Sequence, residues 1–90
     1  LKLSQNYPNP FNPNTNITLE MPKQGELSLN IYNAKGQFVK QLHKGVTTKG
    51  KHSFNWDGKD AHGRSVASGI YFYTAQSQDG KVSRKMLLMK

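Results

Sequence analysis

Leu27-Ser28-Leu29-Asn30-Ile31-Tyr32 decides the fold. Leu27, Leu29 and Ile31 alternate with Ser28, Asn30 and Tyr32. Successive side chains of a strand point to opposite faces, so this period of two describes a half-buried β-strand. Asn33-Ala34-Lys35-Gly36 follows as a hairpin turn. Phe38, Val39 and Leu42 then belong to the next strand, where two adjacent apolar residues predict a bulge or burial on both faces. Upstream, Pro22-Lys23-Gln24-Gly25 is a turn. Before it, Ile17, Leu19 and Met21 alternate with Asn16, Thr18 and Glu20.

The same punctuation continues toward the C-terminus. Thr47-Thr48-Lys49-Gly50 turns the chain, and His52, Phe54 and Trp56 alternate with Ser53 and Asn55. Asp57 to Gly63 is a polar loop. Ile70-Tyr71-Phe72-Tyr73-Thr74-Ala75 is rich in aromatic and β-branched residues, as strands are. Tyr71 and Tyr73 are expected to point inward. Gln78-Asp79-Gly80-Lys81 predicts a hairpin turn on its Asp-Gly pair, and Val82 to Lys90 closes the chain as a final strand. The opening residues 1–14 carry Pro8, Pro10 and Pro13, which exclude a helix and favour an extended path. Tyr7 and Phe11 are expected to pack even so. No segment keeps a helical period over ten residues. The pattern predicts an all-β sandwich of six or seven antiparallel strands.

Bulk properties narrow the function. Ninety residues form one domain, with a folded surface of roughly 5,300 Å² by size scaling. That leaves little room for a deep, water-excluding active site. No apolar run approaches the roughly 20 residues needed to span a bilayer. There is no Cys, so disulfides and thiolate metal sites are excluded. The net charge of +8 is dispersed rather than clustered. Lys40, Lys44, Lys49 and Lys51 are the densest group, and Arg64 and Arg84 are the only arginines. A solvated face is expected, with no nucleic-acid partner. No signal peptide is visible, and the start at Leu1 is expected of a piece of a longer protein.

Catalysis is not expected. His43, His52 and His62 are the three histidines, and no Ser has the spacing of a nucleophile elbow. Asp57 and Asp60 are weak metal candidates, because Lys59 occupies the intervening ligand position and no terminal Glu follows. A turn with each Asp bonded to backbone N–H groups is the expectation, and no cofactor is implied. Trp56 with Tyr32, Tyr71 and Tyr73 suits either core packing or stacking on sugar rings. The second option keeps open an accessory, carbohydrate-contacting module of an extracellular enzyme.

Ordered motifs add a resemblance. Asn6-Tyr7-Pro8-Asn9-Pro10-Phe11-Asn12-Pro13 resembles the opening of the type A C-terminal sorting domain of the type IX secretion system. Four further motifs match in order: Leu29-x-Ile31-Tyr32-Asn33-x-x-Gly36, Trp56-Asp57-Gly58-Lys59-Asp60-x-x-Gly63, Val66 to Tyr73, and Lys85-Met86-Leu87-Leu88-Met89-Lys90. The middle portion also resembles the immunoglobulin-like domain of the flagellar hook-capping protein. That relative lacks the Pro-Asn-Pro-Phe opening and the Lys-apolar-Lys ending. Both resemblances imply an immunoglobulin-like β-sandwich over residues 1–90.

The first resemblance implies a C-terminal signal that carries an N-terminal cargo domain from the periplasm through an outer-membrane translocon. Sortase-like cleavage and joining of the cargo to anionic lipopolysaccharide at the cell surface, or its release, are implied as later steps. It assigns recognition to Gly69, Tyr71, Lys85, Met86, Leu87, Leu88, Met89 and Lys90. It assigns the domain start to Pro8, Asn9, Pro10, Phe11 and Asn12. A terminal edge strand with unpaired backbone groups would let a receptor add a strand. It would also allow a weak edge-strand dimer of an otherwise monomeric domain.

Overall fold

The alternating run lies inside β3 (Gly25–Asn33), which has a bonded strand on each side. In the computed structural model, which describes residues 1–90, six more strands complete the molecule. They are β1 (Lys2–Leu3), β2 (Thr15–Met21), β4 (Phe38–Thr47), β5 (Gly50–Trp56), β6 (Gly69–Ser77) and β7 (Gly80–Leu88). All strand pairings are antiparallel. One sheet has the order β1-β2-β5, and the other β4-β3-β6-β7. The immunoglobulin-like β-sandwich expected from the sequence is the observed architecture. Its accessible surface of 5406 Å² is what a chain of this size buries down to.

The turns show why these residues pair as they do. Between β3 and β4 the Asn33 carboxamide oxygen accepts from the backbone N–H of Lys35 (3.0 Å) and Gln37 (2.9 Å), which closes the loop. Two register shifts then interrupt the β3–β4 ladder, leaving Val39 and Leu42 as extra residues in β4. The adjacent apolar pair is explained by the first: Val39 turns inward, while Phe38 stays on the outer face, 55% exposed. The last hairpin departs from expectation by one residue. Ser77 pairs with Gly80, so Gln78 and Asp79 form the loop and Gly80 already belongs to β7.

Fifteen apolar side chains from both sheets form one core, with Trp56 at one end of it. Its indole is fully buried, 5.6 Å from the Phe11 ring and 5.2 Å from the Tyr71 ring between centroids. The indole N–H donates to the Lys59 carbonyl at 2.9 Å. Tyr71 and Tyr73 both point inward, as expected. Tyr7 does not: it is 80% exposed, and only its backbone pairs, with Asn16. The ring is left outside because Tyr7 pairs at a position where Asn16 also faces solvent.

A polar network fastens the opening segment to the core. The buried Tyr73 hydroxyl donates to the Ser4 carbonyl (2.6 Å) and accepts from the Asn6 N–H (2.9 Å). The Asn6 carboxamide donates to Thr15 Oγ1 (3.0 Å), which in turn donates to the Pro8 carbonyl (2.8 Å). No buried side-chain nitrogen or oxygen lacks a partner.

Two substitutions test this packing by urea unfolding. Phe11→Ala empties the space beside Trp56 and should cost about 3–5 kcal/mol. Tyr73→Phe strands the buried Asn6 N–H and should cost about 1–3 kcal/mol. Burial pushes the Tyr73 hydroxyl above its ordinary value of 10.0. Wild-type stability should therefore hold below pH 10 and fall as pH rises beyond it, with a shallower fall in Tyr73→Phe.

Candidate functional site

The residues assigned to recognition, Gly69 and Tyr71 with 85–90, and the domain-start motif 8–12 are separate in sequence, and the fold brings them to one edge. β7 is the edge strand of the four-stranded sheet, bonded along one side to β6. In that ladder Gly69 stands opposite Leu88, Ile70 opposite Leu87, and Tyr71 opposite Met86. The opening motif lies along the other side of β7. Phe11 N–H donates to the Leu87 carbonyl (3.0 Å), and Met89 N–H donates to the Phe11 carbonyl (2.9 Å). The Asn9 side-chain oxygen accepts from Leu87 N–H at 3.0 Å. The Gln5 carboxamide reaches the Lys85 carbonyl at 2.9 Å.

This arrangement corrects the expectation of a bare terminal edge. From Lys85 to Met89 the outward backbone groups are held by residues 5–11, so no strand can be added there while the opening segment stays in place. Only the earlier part of β7, around Lys81 and Ser83, lacks such a neighbour.

Alternation divides the terminal motif into two sets. Met86 and Leu88 are buried in the core. Lys85 and Lys90 are exposed, Leu87 is half-buried, and Met89 is 54% exposed. Lys85 and Leu87, with Ile70, 43% exposed, line a shallow groove shared with Gln5, Asn9 and Met86. The Lys90 N–H is fastened to Ser68 Oγ at 3.0 Å. Neither Lys85 nor Lys90 has a carboxylate within ion-pair distance; the two ion pairs are Lys23–Asp79 and Arg64–Asp60.

Tyr71 supports this surface from beneath. Its ring packs on Trp56, and its hydroxyl donates to the Ala67 carbonyl at 2.6 Å, which burial accompanies by raising its pKa. Gly69 has a positive φ of 149°, with open space where a side chain would be. Pro8, Asn9, Pro10 and Asn12 are exposed around buried Phe11. Gly58 is a supporting residue that sequence reasoning did not single out. Its φ is +74°, and a Cβ there would come within 3.2 Å of the Pro13 carbonyl and 3.8 Å of a Leu88 methyl. Only glycine lets the 57–66 loop lie this close to both chain ends. The Asn6–Tyr73 contact was equally unmarked, since it spans 67 residues and follows no period.

The remaining candidates fall elsewhere. Asp57 accepts from Lys59 N–H (3.1 Å), and Asp60 accepts from His62 N–H (2.9 Å) and Arg64 N–H (3.0 Å). Both carboxylates act as local turn clasps. His43 meets Thr47 Oγ1 at 2.8 Å, His52 meets the Thr48 carbonyl at 2.9 Å, and no imidazole bonds a carboxylate. Trp56, Tyr71 and Tyr73 are inside, which removes them from sugar stacking and leaves Tyr32 on the outer face.

The loop clasp has a pH signature. The N–H of Arg64 is the largest influence holding the Asp60 carboxyl below its ordinary 3.8. The stability it contributes is present above pH 3.8 and is lost as pH falls through the lower folded value. Asp60→Asn should lower the melting temperature at pH 6 and flatten its dependence below pH 4, as followed by circular dichroism.

Comparison with known proteins places this geometry. The sequence profile of the FlgD Ig-like domain matches residues 6–81. FlgD from Xanthomonas campestris, described in connection with hook capping essential for flagellar assembly, is 30% identical with a TM-score of 0.67. That alignment covers 96% of this chain and 64% of that one. Dimeric latent PorU from Porphyromonas gingivalis is 21% identical with a TM-score of 0.74, covering 94% of this chain and 9% of its own. PorZ from the same organism, an essential bacterial surface component of the type IX secretion system, is 20% identical with a TM-score of 0.64. It is matched over 96% of this chain and 11% of its own. The chain thus spans under two thirds of the FlgD chain and about a tenth of the other two. No curated protein sequence matches it.

Proposed function

The chain belongs to the FlgD Ig-like domain family, and from that premise we propose that it is a C-terminal sorting domain of the type IX secretion system. One observation carries this reading. The opening motif, the Gly69–Tyr71 segment and the terminal motif, separate in sequence, meet along β7. The family profile matches residues 6–81, so the terminal motif 85–90 lies past the stretch the profile describes. The likeness in fold to PorU and PorZ is in keeping with this setting.

The domain works by being read rather than by catalysis. The sandwich holds Met86 and Leu88 as anchors, and these fix the positions of Lys85, Leu87, Met89 and Lys90 at the surface. An outer-membrane translocon component meets this preorganised surface in the periplasm, so little ordering entropy is lost on docking. The N-terminal cargo follows it to the cell surface or the medium. There sortase-like components cleave the domain and attach the cargo to anionic lipopolysaccharide.

The 30% identity to hook-capping FlgD favours a second reading, a module of a surface assembly. One assay separates the two. Residues 1–90 are fused behind a periplasm-directed fluorescent protein in a host that has the secretion system. The wild-type fusion should reach the surface or medium. A Lys85→Ala/Leu87→Ser/Lys90→Ala variant, shown to be folded by circular dichroism, should stay in the periplasm. The buried Met86 and Leu88 are left intact, because replacing them or deleting residues 85–90 would remove core. If native cargo leaves while the wild-type fusion does not, the sorting reading fails. Export indifferent to the three substitutions would overturn the assignment of recognition to the terminus.

A further inference from the structure

The outer face of the four-stranded sheet carries an organised surface that adjoins the terminal motif at Lys85 and extends away from it across β6, β3 and β4. Cross-strand register places Phe38, Tyr32, Phe72 and Lys85 side by side across β4, β3, β6 and β7. The next row is Gln41, Asn30, Thr74 and Ser83, and the row after it is Lys44, Ser28, Gln76 and Lys81. An aromatic row therefore lies beside a row of amides and hydroxyls, with cations at the margins. At a strand spacing of about 4.8 Å each row is roughly 14 Å long.

We propose that this face binds a single chain of an acidic polysaccharide, with sugar rings over Phe38, Tyr32 and Phe72. The chemistry matches on three counts. Aromatic faces take the apolar C–H faces of sugar rings, and Phe38 is more than half exposed. The polar row is already oriented: Gln41 donates to the Asn30 side-chain oxygen at 3.0 Å, and Thr74 bonds Ser83 at 2.7 Å. Gln41 Oε1, the Tyr32 O–H and one Asn30 N–H remain free for ligand hydroxyls. Lys44, Lys81 and Lys85 stand on this face against one carboxylate, Glu26, which lies at the end far from the aromatic row. That balance selects an anionic ligand. A protein partner would have to desolvate the amide and hydroxyl row, which a carbohydrate instead bonds. The Tyr32 and Phe38 rings meet at 76° with centroids 6.2 Å apart. Such a corner suits a twisted single chain rather than a flat crystalline surface.

Calorimetric titration in about 0.15 M salt, where exposed charges are screened beyond roughly 8 Å, tests this. The probes are oligogalacturonate, alginate and hyaluronate, with maltodextrin as neutral control and dextran sulfate as a charge control. At least one uronate should bind saturably and maltodextrin should not. Phe38→Ala/Gln41→Ala, both exposed positions, should weaken that binding about tenfold with an unchanged melting temperature. Lys44→Gln/Lys81→Gln should weaken it and reduce its salt dependence, while dextran sulfate should bind the Phe38→Ala/Gln41→Ala variant as it binds wild type. Absence of binding to all three uronates overturns the proposal. So does uronate binding indifferent to Phe38→Ala/Gln41→Ala, which would be attraction of charge alone. Phe38-dependent sedimentation with phosphatidylglycerol vesicles, without uronate binding, would instead make the face a membrane contact.

Discussion

Burial of the Trp56 indole between Phe11 and Tyr71 is the contact on which the rest of the structure depends. It joins the end of β5, the opening segment and the start of β6, three stretches that no local interaction would bring together. Large aromatic side chains contribute the most buried apolar area per residue, so one such cluster can close the end of a small sandwich. The indole N–H still needs an acceptor, and the Lys59 carbonyl supplies it. That bond in turn draws the 57–66 loop back over the core, where Gly58 allows its close approach to Leu88 and Pro13.

Once Phe11 is held there, its backbone lies beside β7 and bonds the Leu87 carbonyl and Met89 N–H. An edge strand is a hazard because its unpaired groups invite another chain. Here the domain's own beginning covers the end of that edge. The cover is fastened twice, by the Phe11 ring in the core and by the Tyr73 hydroxyl on Ser4 and Asn6. The start and the finish of the chain are thus one structural unit. On the proposed reading, the surface that this unit presents exists only in the folded domain, which would tie recognition to the integrity of the core.

The same sheet serves two faces. Its inner face is continuous core, while its outer face is ordered into rows by the strand register. The bulges in β4 matter for this. The two shifts together leave Val39 inward and Phe38 outward and move the register by two residues, which brings Phe38 opposite Tyr32 in the outer row.

Much of this was legible in the residues. Side-chain alternation is a local consequence of strand geometry, so β2, β3, β5 and β6 could be read directly, with their inward faces at Leu27, Leu29, Ile31, Trp56, Tyr71 and Tyr73. The Asp57 and Asp60 clasps were legible for the same reason, because each bonds N–H groups within four residues of itself. What escaped was long-range. Tyr7 and Phe11 look alike in an extended, proline-rich segment, and only the tertiary path buries one and exposes the other. The terminal run 85–90 reads as an accessible tag, yet pairing with β6 sends Met86 and Leu88 into the core. The opening motif closes the edge that its sequence gives no sign of touching. Sequence by itself determined the strands and their faces, because those follow from neighbours along the chain. The tertiary structure alone decided which edge is open, which motif residues are accessible and which aromatics line up. Those depend on cross-strand register and, at the covered edge, on contacts whose partners lie 67 to 80 residues away, and they leave no local pattern behind.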